Sequence, residues 1–157
     1  MGRFAKYVCA SEDTLALKPD NFSFGQAAAV PLAALTALQG LRDSGQIQPR
    51  QKVLINGASG GLGTFAVQIA KSFGAEVTAV CSPRNLDLVR SIGADQVIDY
   101  TQEDSTQNGQ HYDLIFDAVA NHSVSDYKGA LSPQGICVIA GFSTLFHLFQ
   151  VMLLGYR

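Results

Sequence analysis

Lys52-Val53-Leu54-Ile55-Asn56-Gly57-Ala58-Ser59-Gly60-Gly61-Leu62-Gly63-Thr64-Phe65 runs from an apolar strand straight into four glycines and out into a helical pattern. Glycine permits a sharp turn and a close approach of backbone to a phosphate, and a helix that starts there offers free N–H groups and a partial positive charge. The glycines sit between Val53-Leu54-Ile55 and a helix whose Leu62, Phe65, Ala66, Ile69 and Ala70 fall on one stripe. That context turns a weak motif into a nucleotide-pyrophosphate site. Gly57, Gly60 and Gly63 give G-x-x-G-x-x-G, and Gly57, Gly61 and Gly63 give G-x-x-x-G-x-G. The second spacing belongs to enzymes that need Tyr-x-x-x-Lys for proton transfer, and the residues four places after Tyr7, Tyr100, Tyr112 and Tyr127 are Ser11, Asp104, Phe116 and Leu131. No Gly-Lys-Ser/Thr follows the glycines, so a nucleotide-hydrolase loop fails as well.

Downstream, Glu76-Val77-Thr78-Ala79-Val80 reads as a second strand with its tip at Cys81-Ser82-Pro83-Arg84-Asn85. Sites for NAD place Asp or Glu at such a tip to hold the adenosine ribose. Here there is none, whereas Arg84 can pair with a 2′-phosphate and Ser82 can donate to it. Unit charges about 4 Å apart attract by about 4 kcal/mol at an effective dielectric near 20, before losses to solvent and entropy. The sign favours NADPH over NADH.

Residues 86–92 continue as a helix closed by Gly93-Ala94, Gln96-Val97-Ile98 is a third strand, and residues 113–119 are a fourth. A short helix over residues 124–131 leads to a turn at Pro133-Gln134-Gly135 and a fifth strand over residues 136–141. Short, nearly all-apolar strands alternating with helices imply a parallel sheet covered on both faces. The fold expected is therefore α/β, a doubly wound Rossmann-type sheet of order 3-2-1-4-5 with its ligand outside the carboxyl ends of the strands. The glycine loop, Ser82, Arg84, Tyr100, Val119 and Gly141 would then lie along one edge.

The ordered set Ala28-Ala29-Val30-Pro31, Leu35-Thr36-Ala37, the glycine loop, Cys81-Ser82-x-Arg84-Asn85, Gly93-Ala94-Asp95-x-Val97-Ile98-Asp99-Tyr100 and Tyr112-Asp113-Leu114-Ile115-x-Asp117 resembles the zinc-independent medium-chain dehydrogenase/reductases of the quinone oxidoreductase, or zeta-crystallin, type. The resemblance covers residues 4–141 and implies an NADPH-dependent reductase of quinones, enals or enones, built from a cofactor domain and a GroES-like catalytic domain. Carried over to this sequence, it implies that Gly60, Gly61 and Leu62 contact the pyrophosphate and that Ser82, Arg84 and Tyr100 hold the 2′-phosphate, with Thr36 near the nicotinamide and Val119 on the adenosine side. Gly57, Ala58, Gly63, Asn85 and Gly141 complete the residues expected to bind the cofactor. The zinc-dependent relatives draw a cysteine ligand from the stretch matching residues 30–33, and none stands here. No metal site and no catalytic residue is assigned.

A full member of the family carries the bulk of the catalytic domain ahead of these residues. Residues 1–20 are expected to be its remnant, with residues 4–10 and 15–20 alternating like strands at a sheet edge, and residues 21–157 the NADP-binding Rossmann domain. The matching hydrogen-bond donors for catalysis would lie outside this chain, so the expectation is cofactor binding with little turnover. A stand-alone NADPH-binding or redox-sensing module, and the enoyl reductase fragment of a larger synthase, are the other readings.

Composition fits one soluble domain: 157 residues, 47% hydrophobic, 15% charged. A formal net charge of −2 without a basic cluster argues against nucleic acid and anionic membrane partners. Three well-separated cysteines, Cys9, Cys81 and Cys137, read as reduced thiols of a cytoplasmic protein. No targeting signal is expected at the start, and the apolar tail over residues 142–154 is too short to span a bilayer and is expected to pack as a helix on a partner surface or on the segment of the family missing here. The partners expected are a small-molecule carbonyl or quinone and a second copy in a homodimer. Ser23-x-x-Gln26 is a capping box, Pro31 should break or restart the helix begun there, and residues 32–41 are apolar enough to be buried. His111, His122 and His147 are scattered and belong to no catalytic grouping.

Overall fold

The computed structural model describes residues 8–141. Backbone packing divides the chain into Met1–Pro31 and Leu32–Arg157.

The first unit holds a 3-10 turn, Glu12–Thr14, and the start of helix α1, Phe24–Leu38. The capping box forms as the sequence implies: Ser23 N–H donates to Gln26 Oε1 (2.9 Å) and Gln26 N–H to Ser23 Oγ (3.2 Å). No strand forms among the described residues ahead of α1, which corrects the expectation of remnant strands over residues 15–20. A strand needs a ladder partner, and Leu15 and Leu17 stand 64% and 98% exposed with none. Residues 4–7 lie outside the described residues.

Pro31 does not end α1, which continues to Leu38 and on as a π-helical turn, Gln39–Ser44. Proline removes only its own N–H bond from the ladder, and the residues after it keep theirs. The expected burial of residues 32–41 is also corrected. Leu32 (84% exposed) and Leu35 (53%) face outward, and only Ala37, Gly40 and Leu41 are buried. Phe24–Ser44 is long and apolar enough to cross a membrane by length and composition alone.

The second unit holds a five-stranded parallel sheet in the order β3-β2-β1-β4-β5 that the sequence implies. Its strands are β1 (Lys52–Asn56), β2 (Glu76–Cys81), β3 (Gln96–Asp99), β4 (Tyr112–Asp117) and β5 (Leu131–Ile139). Between them run α2 (Gly61–Ser72), α3 (Leu86–Ser91) and α4 (Val124–Ala130). Alternate residues serve opposite faces: Val53, Ile55, Val77, Ala79, Leu114 and Phe116 share one core with Ala66, Val67 and Ala70 of α2. Leu54, Val80, Ile98 and Ile115 share the other with Tyr127 and Ala130 of α4. Both faces being covered is why these strands read as continuous apolar runs.

Two boundaries differ from the sequence reading. β5 begins at Leu131, and the expected turn at Pro133-Gln134-Gly135 is a bulge within it, residues 132–135 standing opposite Asp113 between the Tyr112↔Leu131 and Leu114↔Ile136 pairs. β4 stops at Asp117 rather than 119 because the Asp117 carboxylate captures the next amides, Val119 N–H (3.0 Å) and Ala120 N–H (2.9 Å), and Ala120 turns to φ +57°. Residues 142–154 lie outside the described residues.

Candidate functional site: a cleft at the carboxyl ends of the strands

The carboxyl ends of β1, β2 and β4 border a cleft of about 360 Å³, near the lower end of the range for small-ligand pockets. Asn56, Gly57, Ser59 and Gly60 line it from β1 and its loop, Val80, Cys81 and Ser82 from β2, Tyr100 from beyond β3, and Val119 and Asn121 from beyond β4. Among the described residues no carboxylate lines it. Of the residues singled out from sequence, Gly57, Gly60, Ser82, Tyr100 and Val119 therefore converge on one site.

The loop is built so that backbone, not side chains, forms its wall. Gly57 has φ +81°, and a Cβ there would stand 2.5 Å from Val119 Cγ2. At Gly63 a Cβ would overlap the Gly57 carbonyl oxygen and stand 2.7 Å from Ala58 Cα, so only glycine lets α2 start this close to β1. Gly61 has nothing within 4 Å of such a Cβ and faces open space. Gly60 caps α2 without any side-chain hydrogen bond. The first turn of α2, Gly61, Leu62 and Gly63, thus presents uncapped N–H groups, which with the helix dipole suit an anion.

At the β2 tip, Pro83–Asn85 forms a 3-10 turn. Arg84 is exposed and, among the described residues, makes no ion pair or hydrogen bond, so its guanidinium is available to an external anion. Asn85 Nδ2 donates to Ser59 Oγ (3.1 Å) and Ser82 Oγ (3.0 Å). Cys81 is buried at the cleft floor, where burial and then the Asp99 charge push its thiol up from the ordinary value.

Four sequence-derived residues lie elsewhere. Ala58 is fully buried with its N–H donated to Val80 O (2.9 Å), so it offers the cleft neither methyl group nor amide. The side chain of Leu62 packs on the core, leaving only its backbone N–H to the site. Thr36 Oγ1 donates to Leu32 O within α1 (2.8 Å). Gly141 follows β5, where a Cβ would stand 2.7 Å from Ala118 O: it permits close packing of the chain against the end of β4.

Sequence reasoning missed the polar network beneath the cleft. Asn56 Nδ2 donates to Asp117 Oδ1 (2.9 Å), Asn121 Oδ1 (2.7 Å) and Tyr127 Oη (3.1 Å). Asp117 is fully buried, and its Oδ2 has no hydrogen-bond partner among the described residues. Burial, then the Asp117 charge, pushes the Tyr127 hydroxyl far up, and the same two causes push the Cys137 thiol up to about 12. A buried polar residue at the end of each of two adjacent strands, Asn56 and Asp117, was the one available signal.

Among the described residues no three His, Cys, Asp or Glu side chains come together as metal ligands, so the donor set for a zinc ion is not present there. A helix start without a side-chain cap, brought close to the strand by Gly63 and open beside Gly61, does fit a dinucleotide phosphate.

Comparison with known proteins agrees with the geometry. Over 143 residues the chain is 37% identical to a chloroplastic quinone-oxidoreductase homolog of Spinacia oleracea, a match covering 85% of this chain and 44% of that protein. It is 44% identical over 120 residues to an NADPH-dependent alkenal/one oxidoreductase of Arabidopsis thaliana, covering 75% of this chain and 31% of that one. The chain thus spans less than half the length of these curated relatives. A crystal structure of an NAD-dependent alcohol dehydrogenase superposes with a TM-score of 0.80 at 32% identity, covering 94% of this chain and 47% of its own. The profile described as zinc-binding dehydrogenase matches residues 61–155, more than half of the sequence, and the chain belongs to that family.

Proposed function

We propose that this chain is the cofactor-binding part of an NADPH-dependent oxidoreductase that passes hydride to a quinone, enal or enone. The observation that carries the reading is the uncapped start of α2, held close to β1 because Gly63 has no Cβ to strike Gly57 and Ala58, with open space beside Gly61. When bound, the reduced nicotinamide supplies hydride to an electron-poor carbon of a conjugated carbonyl. The chain's own part is to grip and orient: Gly61, Leu62 and Gly63 N–H hold the pyrophosphate, Val119 flanks the adenosine, and Ser82, Arg84 and Tyr100 meet the 2′-phosphate. Relatives divide between NADPH-dependent and NAD-dependent proteins. The preference for NADPH here rests on the absence of a carboxylate from the β2 tip and on the unengaged Arg84. No step is routed through a metal, and none of the described residues is assigned to polarise a carbonyl. Three unpaired cysteines suit a reducing cytoplasm.

Fluorescence titration of NADPH and NADH with the wild type and with Arg84→Glu tests the assignment. NADPH should bind more tightly to the wild type, and reversing one exposed charge should cost it about 1–2 kcal/mol, about tenfold in affinity, while NADH changes little. Equal affinities of both cofactors for both proteins would remove NADPH from the reading.

A further inference from the structure

We propose that Asn85 is a positioning residue that aims the Ser59 and Ser82 hydroxyls at two separate phosphates of the dinucleotide; the inference rests on the cofactor reading above. Ser59 and Ser82 line the cleft and Asn85 does not. They belong to different rims: Ser59 to the glycine loop, Ser82 to the β2 tip, and only the Asn85 side chain bridges them, at 3.1 and 3.0 Å.

An amide nitrogen has two hydrogens, and Asn85 spends both on these oxygens. It keeps no donor for a ligand, so the contact role expected of it from sequence gives way to an indirect one. A serine hydroxyl has a single hydrogen, and an oxygen that accepts from Asn85 turns that hydrogen elsewhere. Among the described residues neither Ser59 Oγ nor Ser82 Oγ donates to any protein group. Both O–H donors are therefore turned away from Asn85 and left for a ligand, at the border of a cleft that no carboxylate among the described residues lines, which matches phosphate oxygens.

Asn85 itself is well held. Its backbone N–H donates to Ser82 O (3.0 Å), and Pro83 opens the same turn with a restricted φ. Ser59 lies in the loop that leads into α2, toward the pyrophosphate common to both nicotinamide cofactors. Ser82 lies two residues from Arg84, toward the 2′-phosphate that only NADPH carries. One side chain thus couples the subsite that gives affinity to the subsite that gives selectivity.

The test is calorimetric titration of NADPH and NADH into the wild type, Asn85→Ala, Asn85→Asp, Ser59→Ala, Ser82→Ala and the double serine variant. Releasing both hydroxyls in Asn85→Ala should weaken NADPH about tenfold and NADH about threefold, so that the NADPH to NADH ratio falls, an outcome that loss of structure alone would not give. Asn85→Asp keeps the shape of the side chain but draws both hydroxyl hydrogens onto its carboxylate, and should lose more than Asn85→Ala. This isosteric variant carries the test if the alanine variant fails to fold. Ser59→Ala and Ser82→Ala should be non-additive with Asn85 present and additive in the Asn85→Ala background. A wild type that binds neither cofactor overturns the cofactor reading and this inference with it. A wild type that binds both, with the ratio unchanged in the Asn85 variants, overturns the role of Asn85 alone.

Discussion

Replacing Asn56 by alanine should unlock the network beneath the cleft, and its cost follows from the partners that remain. Asp117 Oδ1 would keep Val119 and Ala120 N–H but lose the Asn56 amide, while Oδ2 has no partner among the described residues to begin with. A hydrogen bond to a charged group contributes about 1.5–3 kcal/mol. The Tyr127 hydroxyl, on a residue 2% exposed, would also lose the Asn56 contact, at about 1 kcal/mol. Asn121 is exposed and exchanges its contact for water at little cost. The sum is about 3 kcal/mol, a large share of a typical domain stability of about 5–15 kcal/mol. For a chain of this size it corresponds to a fall in Tm of about 6–12 °C. The chain has no tryptophan, so urea unfolding is best followed by circular dichroism. The same measurement on Asp117→Asn and the double variant completes a cycle, and the Asn56→Ala penalty should shrink once the charge is gone. A loss below about 1 kcal/mol, or a penalty equal in both backgrounds, would refute the view that Asn56 compensates a buried carboxylate.

Two further substitutions separate cradle from scaffold. Gly63→Ala forces α2 away from the Gly57 carbonyl and should cost about 1–3 kcal/mol in unfolding free energy together with most of the cofactor affinity, whereas Gly61→Ala, with open space around it, should be tolerated for folding. Ser123→Ala removes the hydroxyl half of a reciprocal cap, in which Asp126 N–H donates to Ser123 Oγ (3.2 Å) and the retained backbone N–H of residue 123 donates to Asp126 Oδ2 (2.9 Å), and should cost about 1 kcal/mol at neutral pH. The Ser123 hydroxyl and amide hold the Asp126 carboxyl below its ordinary value. The charge-dependent part of the cap is present above the ordinary carboxylate value and fades as pH falls through the lowered folded value, so the stability gap between wild type and variant should narrow in acid.

The sheet was legible because its strands are buried on both faces: residues 53–55 and 114–116 have no polar interruption, and Gly74 and Gly93, with φ +78° and +113°, mark where helices give way to strands. The cradle was legible for a related reason, since glycine is the only residue that the Gly57 and Gly63 backbones accept. What escaped depends on partners distant in sequence. Asn56 and Asp117 meet across a ladder that pairs residues 61 apart, and no local pattern distinguishes them from loop residues. Asn85 was expected to contact the cofactor, whereas its bridge between Ser59 and Ser82 shows only when the two loops are placed together. Apolar density predicted burial for Leu32 and Leu35, yet density reports only that a surface is apolar, not that something lies over it.

The thiols differ in a way that is useful at the bench. Cys9 is exposed, while Cys81 is buried beneath the cleft and Cys137 sits beside the Asp117 charge with its proton held to about pH 12. Alkylating reagents attack the thiolate, so brief treatment with a maleimide near neutral pH should tag Cys9 alone. A dye or spin label placed there leaves the β2 tip and its floor chemically untouched, giving a single-site reporter without removing any cysteine.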